Sequence, residues 1–536
     1  MTEPSRAHTD WLVLAGFCGF LFFFGLAAFG LIGADEPRYA QVAREMLARH
    51  DWITPTLGGK PWLEKPPLYY WQAIVAYGVF GVSDWTARLP SAVDATLMAA
   101  AIYLFLQRFR PGSQLDGALM TASAAGIVGF SRAASMDMAL TATFTIALLA
   151  WYGWRETGSR SYLAGFYSCL ALGALAKGPV APLLALIVIG VFALFKRQYT
   201  LITTTLWIPG IALFCLVTFP WYVAVQLRNP DFFRIFILEH NLARFGTNLY
   251  HHPEPFWYYL PVILLGLVPW TVFAIAALAK IVVASRKKDG ERSADDLSVF
   301  LLVWLIVPIV FFSFSKSKLP GYIVPALPAG ALLVSEYLRR QKGDDDYRAG
   351  WVLSCLHGTA ASWPILPALM MQYILLQHRL PWGAAAIISA VFALVLAAGI
   401  AATLRTQHGV QMLRFVTLVP VVLCVAAVLR IGAPALDSVL SARPLAAELA
   451  HVQKKPMPLA VLWLSRETEF GLAFYRNETI ARYEAGQIPA EEHLVLAPEG
   501  SQTALAKKTA GRRVSYLGSY APQGIDYYWV AAAPGP

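Results

Sequence analysis

Charge is what this chain has least of. Asp, Glu, Lys and Arg together make up 14% of its 536 residues, against 57% hydrophobic ones, and the mean hydropathy is +0.52. That balance excludes a soluble globular chain. Cysteine is scarce as well. Cys18, Cys169, Cys215, Cys355 and Cys424 all sit inside apolar runs, where a thiol is a small packing group and not part of a disulfide framework or a metal cluster. They are silent on redox compartment. No glycine-rich phosphate loop is present. No internal repeat is visible either, which separates the chain from transporters built of repeated halves. The net charge of +10 would suit nucleic acid, but the basic residues gather on one side of the apolar runs. Membrane topology explains them, and no nucleic-acid partner is expected.

What is abundant is the long apolar run. Candidate spans lie near 11–33, 91–109, 117–133, 138–154, 162–177, 179–195, 203–224, 257–282, 298–314, 321–338, 351–376, 383–404 and 414–432. This predicts a mainly α polytopic membrane protein of about thirteen helices, each of roughly twenty residues. The first run is too long for a signal-peptide core and reads as an uncleaved span. Alternate connections carry Arg108/Arg110, Arg155/Arg160, Lys196-Arg197, the basic cluster at 286–292, Arg339-Arg340 and Arg405/Arg414. By the positive-inside rule these are cytoplasmic, so the N-terminus is cytoplasmic and the tail lies outside. The expected domains are a transmembrane part, 1–433, and an outer α/β domain, 434–536. In the tail the apolar runs shrink to strand length: Leu459–Leu464, His493–Ala497, Arg513–Leu517 and Tyr527–Ala532 read as strands, Leu445–Val452 and Gln502–Lys508 as helices.

The connections on the two sides differ in kind. The cytoplasmic ones are short or plainly solvated, whereas the outer ones include 34–90, 225–256 and the turn at 315–320. Asp35 opens the first outer segment. Tyr39, Val42, Met46 and Leu47 follow at helical spacing, which predicts an amphipathic helix on the membrane surface with Arg38, Gln41, Glu45 and Arg49 on other faces. Asp35 as a helix cap is the plain reading. The stretch Trp62-Leu63-Glu64-Lys65-Pro66-Pro67 then sets an acid and a base in a proline-flanked loop before Tyr69, Tyr70 and Trp71. A salt bridge in an aromatic belt is its plain reading; a phosphate-binding lysine is the functional one.

Further along, SRAASMDM places Arg132 and Asp137 at the mouth between two spans, where an ionisable group is costly and points to function. Lys177-Gly178-Pro179 marks an outer hairpin whose lysine reads as a snorkelling helix end. EHNLARFGTNLYHH supplies Glu239, His240, Arg244, His251 and His252, with no dedicated zinc spacing. Finally SKSKLPGY brings Lys316, Lys318 and Tyr322 to an outer boundary, against the positive-inside trend, which implies a local anion.

GADEPRYAQVAREML, KPWLEKPPLYYW, SRAASMDM, ALAKGPVAP, EHNLARFG and SKSKLPGYIVPALPA, in that order, resemble the aminoarabinose transferases of Gram-negative bacteria, which modify lipid A. That group belongs to the protein O-mannosyltransferase-like GT-C glycosyltransferases. The resemblance implies transfer of a sugar from undecaprenyl phosphate to lipid A or another periplasmic acceptor, with inversion, in the bacterial inner membrane. It implies catalytic roles for Asp35 and Asp137. Lys65, Arg244 and Lys318 with Tyr322 would steady the departing lipid phosphate; Arg38 and Glu64 would orient the site, with Tyr39 and His240 beside them. No cofactor is firmly implied; a divalent metal stays open, with Glu64 and Asp137 as its candidate ligands. The alternatives are another polyprenyl-phosphate sugar, a hydroxyl acceptor on a glycan or protein, and a lipid-linked sugar transporter.

Overall fold

The computed structural model describes residues 3–243, 254–286, 295–341, 409–453, 455–509 and 511–533, besides the isolated positions 358, 398 and 402. The chain is mainly helical with a small sheet near its C-terminus. Among the described residues four helices are long and apolar enough to cross a membrane: Asp84–Phe109, Ile208–Arg228, Asp296–Ser313 and Pro320–Arg340. Counting two bent helix pairs as spans raises this to six. Length and apolarity alone therefore do not confirm the thirteen expected spans among the described residues. The candidate spans 351–376 and 383–404 lie outside the described residues.

Two of the expected single spans are broken. The run 257–282 forms Phe256–Gly266 and Thr271–Ile281, bent by 115°. The run 117–133 forms Gln114–Ser123 and Ala125–Ser131, parted where Ala124 leaves the helical region with ψ 128°. Each break answers the other: Ala125 N–H donates to the Val268 carbonyl at 2.8 Å, and the Trp270 indole N–H donates to Ser123 Oγ at 2.9 Å. Main-chain groups freed by a break in an apolar surround need such partners. Periodicity could not show this, since both halves are equally apolar.

The contacts divide the chain into two compact units: 1–24 with 63–72 and 88–427, and 25–62 with 73–87 and 428–536. In the first, Met136–Thr157 and Arg160–Lys177 form an antiparallel hairpin that turns at Gly158, which has φ 68°. A left-handed residue just past a helix end suits glycine, which carries no Cβ. Trp151 and Phe144 of Met136–Thr157 pack against Phe192, Phe300 and Trp304; the indoles of Trp151 and Trp304 are buried and satisfied, Trp151 on Thr205 Oγ1 at 2.9 Å and Trp304 on the Pro325 carbonyl at 2.8 Å.

The second unit holds a five-stranded sheet. Its strands are β3 (Leu459–Val461), β4 (Ala481–Arg482), β5 (His493–Pro498), β6 (Val514–Tyr520) and β7 (Ile525–Val530), in the order β4-β3-β5-β7-β6. A separate hairpin joins β1 (Thr56–Leu57) to β2 (Lys60–Pro61). β3 is parallel to β4 and to β5, while β7 is antiparallel to β5 and β6. Alternate residues face opposite sides: Leu459, Val461, Leu494 and Leu496 pack with Leu445, Leu449 and Leu472, whereas Ala460, Leu462, Val495 and Ala497 pack with Leu505. The same unit contains the helix Asp35–Ala48. Tyr39, Val42 and Met46 are buried in protein there, as are Ala40, Gln41 and Ala43, so its apolar face is not a lipid-facing anchor.

Candidate active site

In the first unit Asp137, Lys177, Gly321 and Tyr322 gather at one end of the helical hairpin. Asp137 stands in the first turn of Met136–Thr157, capped by Ser135, whose Oγ accepts from Asp137 N–H at 3.3 Å. Lys177 is the last residue of Arg160–Lys177. Because the two helices run antiparallel, a carboxylate at a helix N-terminus meets an ammonium at a helix C-terminus, and both macrodipoles favour those charges. The two form a close ion pair, with side chains only 19% and 14% exposed. Lys177 Nζ also lies 4.8 Å from the centre of the Tyr322 ring, which in turn packs on Phe312 at 5.1 Å.

Gly321 seals the arrangement. A Cβ at that position would lie 2.8 Å from Cγ, Oδ1 and Oδ2 of Asp137, so the carboxylate rests face-on against bare main chain. The sequence reading assigned Lys177 no more than a snorkelling end; the structure makes it the partner of Asp137. The signal was present in two helices of similar length joined by a two-residue turn, which return the second helix's end to the first one's start.

Lys318, expected to face a phosphate, is buried, and its Nζ donates to the carbonyls of Ser315 at 2.6 Å and Glu254 at 3.0 Å. Glu64 and His240 are brought together, with His240 Nε2 3.7 Å from Glu64 Oε1, an ion pair when the imidazole is protonated. Lys65 is half-buried ahead of Pro66-Pro67, which lead into a helix at Leu68–Phe80 within the outer segment 34–90. Arg244, His251 and His252 lie outside the described residues. As to a metal, Glu64 with His240 makes two donors and Asp137 is held by Lys177. Among the described residues no three of His, Cys, Asp and Glu gather into a ligand set.

The second unit sets up Asp35 by itself. Asp35 is the first residue of its helix, following Ala34, and not a cap. Its side chain is 53% exposed and takes a close ion pair from Arg38, which is 13% exposed. The Arg38 guanidinium reaches Tyr39 Oη at 3.3 Å and lies over the rings of Tyr39, Trp62 and Phe470 at 5.0, 5.1 and 5.7 Å. Trp62 is returned to the helix by the β1–β2 hairpin. Its turn, Gly58-Gly59, has φ 59° and 72°, the left-handed pair that a two-residue hairpin requires. Glu45 anchors that turn, accepting from Gly58 N at 2.8 Å, Gly59 N at 3.2 Å and Thr56 Oγ1 at 2.8 Å. Phe470 comes from the tail helix Arg466–Arg476, whose Phe474 carbonyl also accepts from Arg44 at 2.6 Å. An aromatic-boxed guanidinium thus fixes an exposed carboxylate.

A model of the family described as dolichyl-phosphate-mannose-protein mannosyltransferase matches residues 64–223. The undecaprenyl phosphate-alpha-4-amino-4-deoxy-L-arabinose arabinosyl transferase of Pseudomonas aeruginosa (strain UCBPP-PA14) is 34% identical over 343 residues, covering 62% of this chain and 60% of that protein. The protein of the same name from Aeromonas hydrophila is 32% identical over 326 residues, covering 59% and 58%. The matched stretch thus spans about three-fifths of either relative. The crystal structure of ArnT from Cupriavidus metallidurans bound to undecaprenyl phosphate superposes with a TM-score of 0.79 at 23% identity, covering 98% of this chain and 99% of that one. Its apo form gives 0.75 at 22% identity, covering 99% and 100%. The chain is therefore similar in sequence to the aminoarabinose transferases and has the fold of ArnT.

Proposed function

We propose that this chain is an integral membrane glycosyltransferase that moves 4-amino-4-deoxy-L-arabinose from undecaprenyl phosphate to a phosphate of lipid A, inverting the anomeric carbon. It works at the periplasmic face of the inner membrane, with the N-terminus cytoplasmic, thirteen spans and the tail from 434 periplasmic. The observation that carries the chemistry is the Asp137–Lys177 pair, largely buried and pressed against Gly321 beside Tyr322. The names of the relatives support the choice of donor.

In this reading the bond between the anomeric carbon and the donor phosphate breaks while an acceptor oxygen attacks the opposite face. The donor is a phosphodiester with one negative charge, and it leaves as a monoester with up to two. Preorganised cations stabilise that developing charge, which suits Lys65, Arg244 and Lys318 with Tyr322, and His240 oriented by Glu64. Arg38 and Tyr39 orient Asp35. A lipid A phosphate is already anionic at neutral pH, with a second pKa of roughly 6, so Asp35 positions the acceptor; a hydroxyl acceptor would need it as a general base. Asp137, held by Lys177, answers the positive charge that builds on the sugar ring.

Mass spectrometry of lipid A from cells with and without the protein tests the reading, the expected result being an increment of one aminopentose. Asp35→Asn and Lys65→Ala should each abolish it at unchanged protein level; full activity in both would sink the assignment. The match of residues 64–223 to protein mannosyltransferases favours one second reading, transfer of another polyprenyl-phosphate sugar to a hydroxyl. An unchanged lipid A beside a glycan or protein that gains a hexose would select it.

A further inference from the structure

The tail carries a cavity that the proposed transfer does not use. It has a volume of about 410 Å³, enough for one or two sugar rings. Its position follows from the topology of the sheet. β3 runs out into the helix Arg466–Arg476, whose Leu472 packs on one face, and β5 runs out into Gln502–Lys508, whose Leu505 packs on the other. Neighbouring parallel strands whose connections leave to opposite faces open a crevice beyond their carboxyl ends, and open α/β sheets bind ligands in that crevice. The cavity lies there: Trp463 and Leu464 follow β3, Pro498 ends β5, and Gln523 and Gly524 precede β7, whose Ile525 is paired with Pro498.

The lining indicates the ligand. Trp463 is 54% exposed and held at φ 56°, a left-handed conformation that bulky residues avoid. A flat indole kept in water at the mouth of a cavity suits the apolar face of a sugar ring. Around it stand Ser465, Thr468 and Gln523. The Gln523 amide is fixed in one orientation by the carbonyls of Ser438 at 3.1 Å and Ser441 at 2.8 Å. Among the described residues Glu467 is the one charged residue of the lining, and no base lines it. The helix that starts here already has Glu467 and Glu469 in its first turn, which match its dipole and disfavour an anion.

We infer that this cavity binds an amino sugar, with Trp463 under the ring and Glu467 opposite the ammonium. The inference stands apart from the transfer reading, since it rests on the tail alone. The test is saturation-transfer NMR on the full chain in detergent micelles, with methyl glucosaminide, methyl glucoside and methyl glucuronide as probes. Saturation should reach the glucosaminide ring protons, be several-fold weaker for the glucoside and be absent for the glucuronide. Trp463→Asn should reduce the glucosaminide signal at least tenfold, although asparagine suits φ 56° better than tryptophan, so folding is not at risk. Glu467→Gln should bring the glucosaminide down to the level of the glucoside. Sugar transfer to a soluble acceptor should be unchanged in both. Equal signals in wild type and Trp463→Asn, or binding of the glucuronide as strong as that of the glucosaminide, would overturn the assignment.

Discussion

The helix Met136–Thr157 carries ion pairs at both ends, and the two ends differ. At its C-terminal end Arg155 pairs with Glu156 and Asp296, and Lys196 reaches the other Asp296 oxygen at 2.6 Å. The same side holds Asp295 with Arg110 at 3.0 Å and Arg340 at 2.7 Å, and Glu336 with Arg339 and with Arg340 at 3.0 Å. Asp295, Asp296 and Glu336 each have more than one base, and Asp296 is 35% exposed. At the N-terminal end, among the described residues, one carboxylate meets one ammonium, and a glycine main chain fits against it. A many-partnered, partly exposed cluster tolerates the loss of one member. The isolated pair does not, and its shape is specific to one carboxylate.

Substitutions at the two ends should separate most widely at Asp137. Asp137→Asn keeps the size and removes the charge, so sugar transfer measured in proteoliposomes and normalised to folded protein should fall by about 10²–10⁴-fold. A loss of less than threefold would place Asp137 among the structural acids. Gly321→Ala comes next: its Cβ would force the carboxylate aside, and a loss of about ten- to a hundredfold in kcat with normal expression is expected. An unaltered kcat would mean that the fit of Gly321 to Asp137 has no functional weight.

The far end should answer in stability instead. Asp296→Asn should leave transfer within twofold and lower the melting temperature by a few degrees, because a partly exposed pair contributes little and Arg155 keeps Glu156. A tenfold loss of transfer would erase the distinction between the ends. The smallest effect belongs to pH. Burial by itself would raise the Asp295 carboxyl, but the Ser298 N–H and side chain, Arg340 and Arg110 outweigh it and hold the group below the ordinary carboxylate range. A lowered native pKa contributes stability that is present above the unfolded value, near 4, and is lost as pH falls through the lower native one. Wild type should therefore exceed Asp295→Asn in melting temperature at pH 7 and approach it as pH falls below the ordinary carboxylate range; a gap that widens in acid would contradict this.

Sequence reading reached further in some places than in others. The tail strands at Leu459–Val461, His493–Pro498, Val514–Tyr520 and Ile525–Val530 fall within a few residues of the expected runs, since alternation and short apolar length mark them directly. The two-residue β4 was too short to leave a pattern. The helix Leu68–Phe80 was missed because prolines and aromatics read as a loop, although Pro66 and Pro67 precede it and do not interrupt it. Lys177 was undervalued because its partner lies 40 residues away, at a distance only the hairpin closes.

By itself the sequence determined that the chain is a helical membrane protein, where its apolar runs lie, and that a strand-bearing tail follows them. These follow from composition and local period, which each segment carries alone. Only the tertiary structure decided that Asp137 belongs to Lys177 and Gly321, and that the amphipathic face after Asp35 is buried in protein. It also decided that two apolar runs break and satisfy each other, and that β3 and β5 open a crevice in the tail. Each of those depends on which segments meet, and a local pattern cannot state its partner.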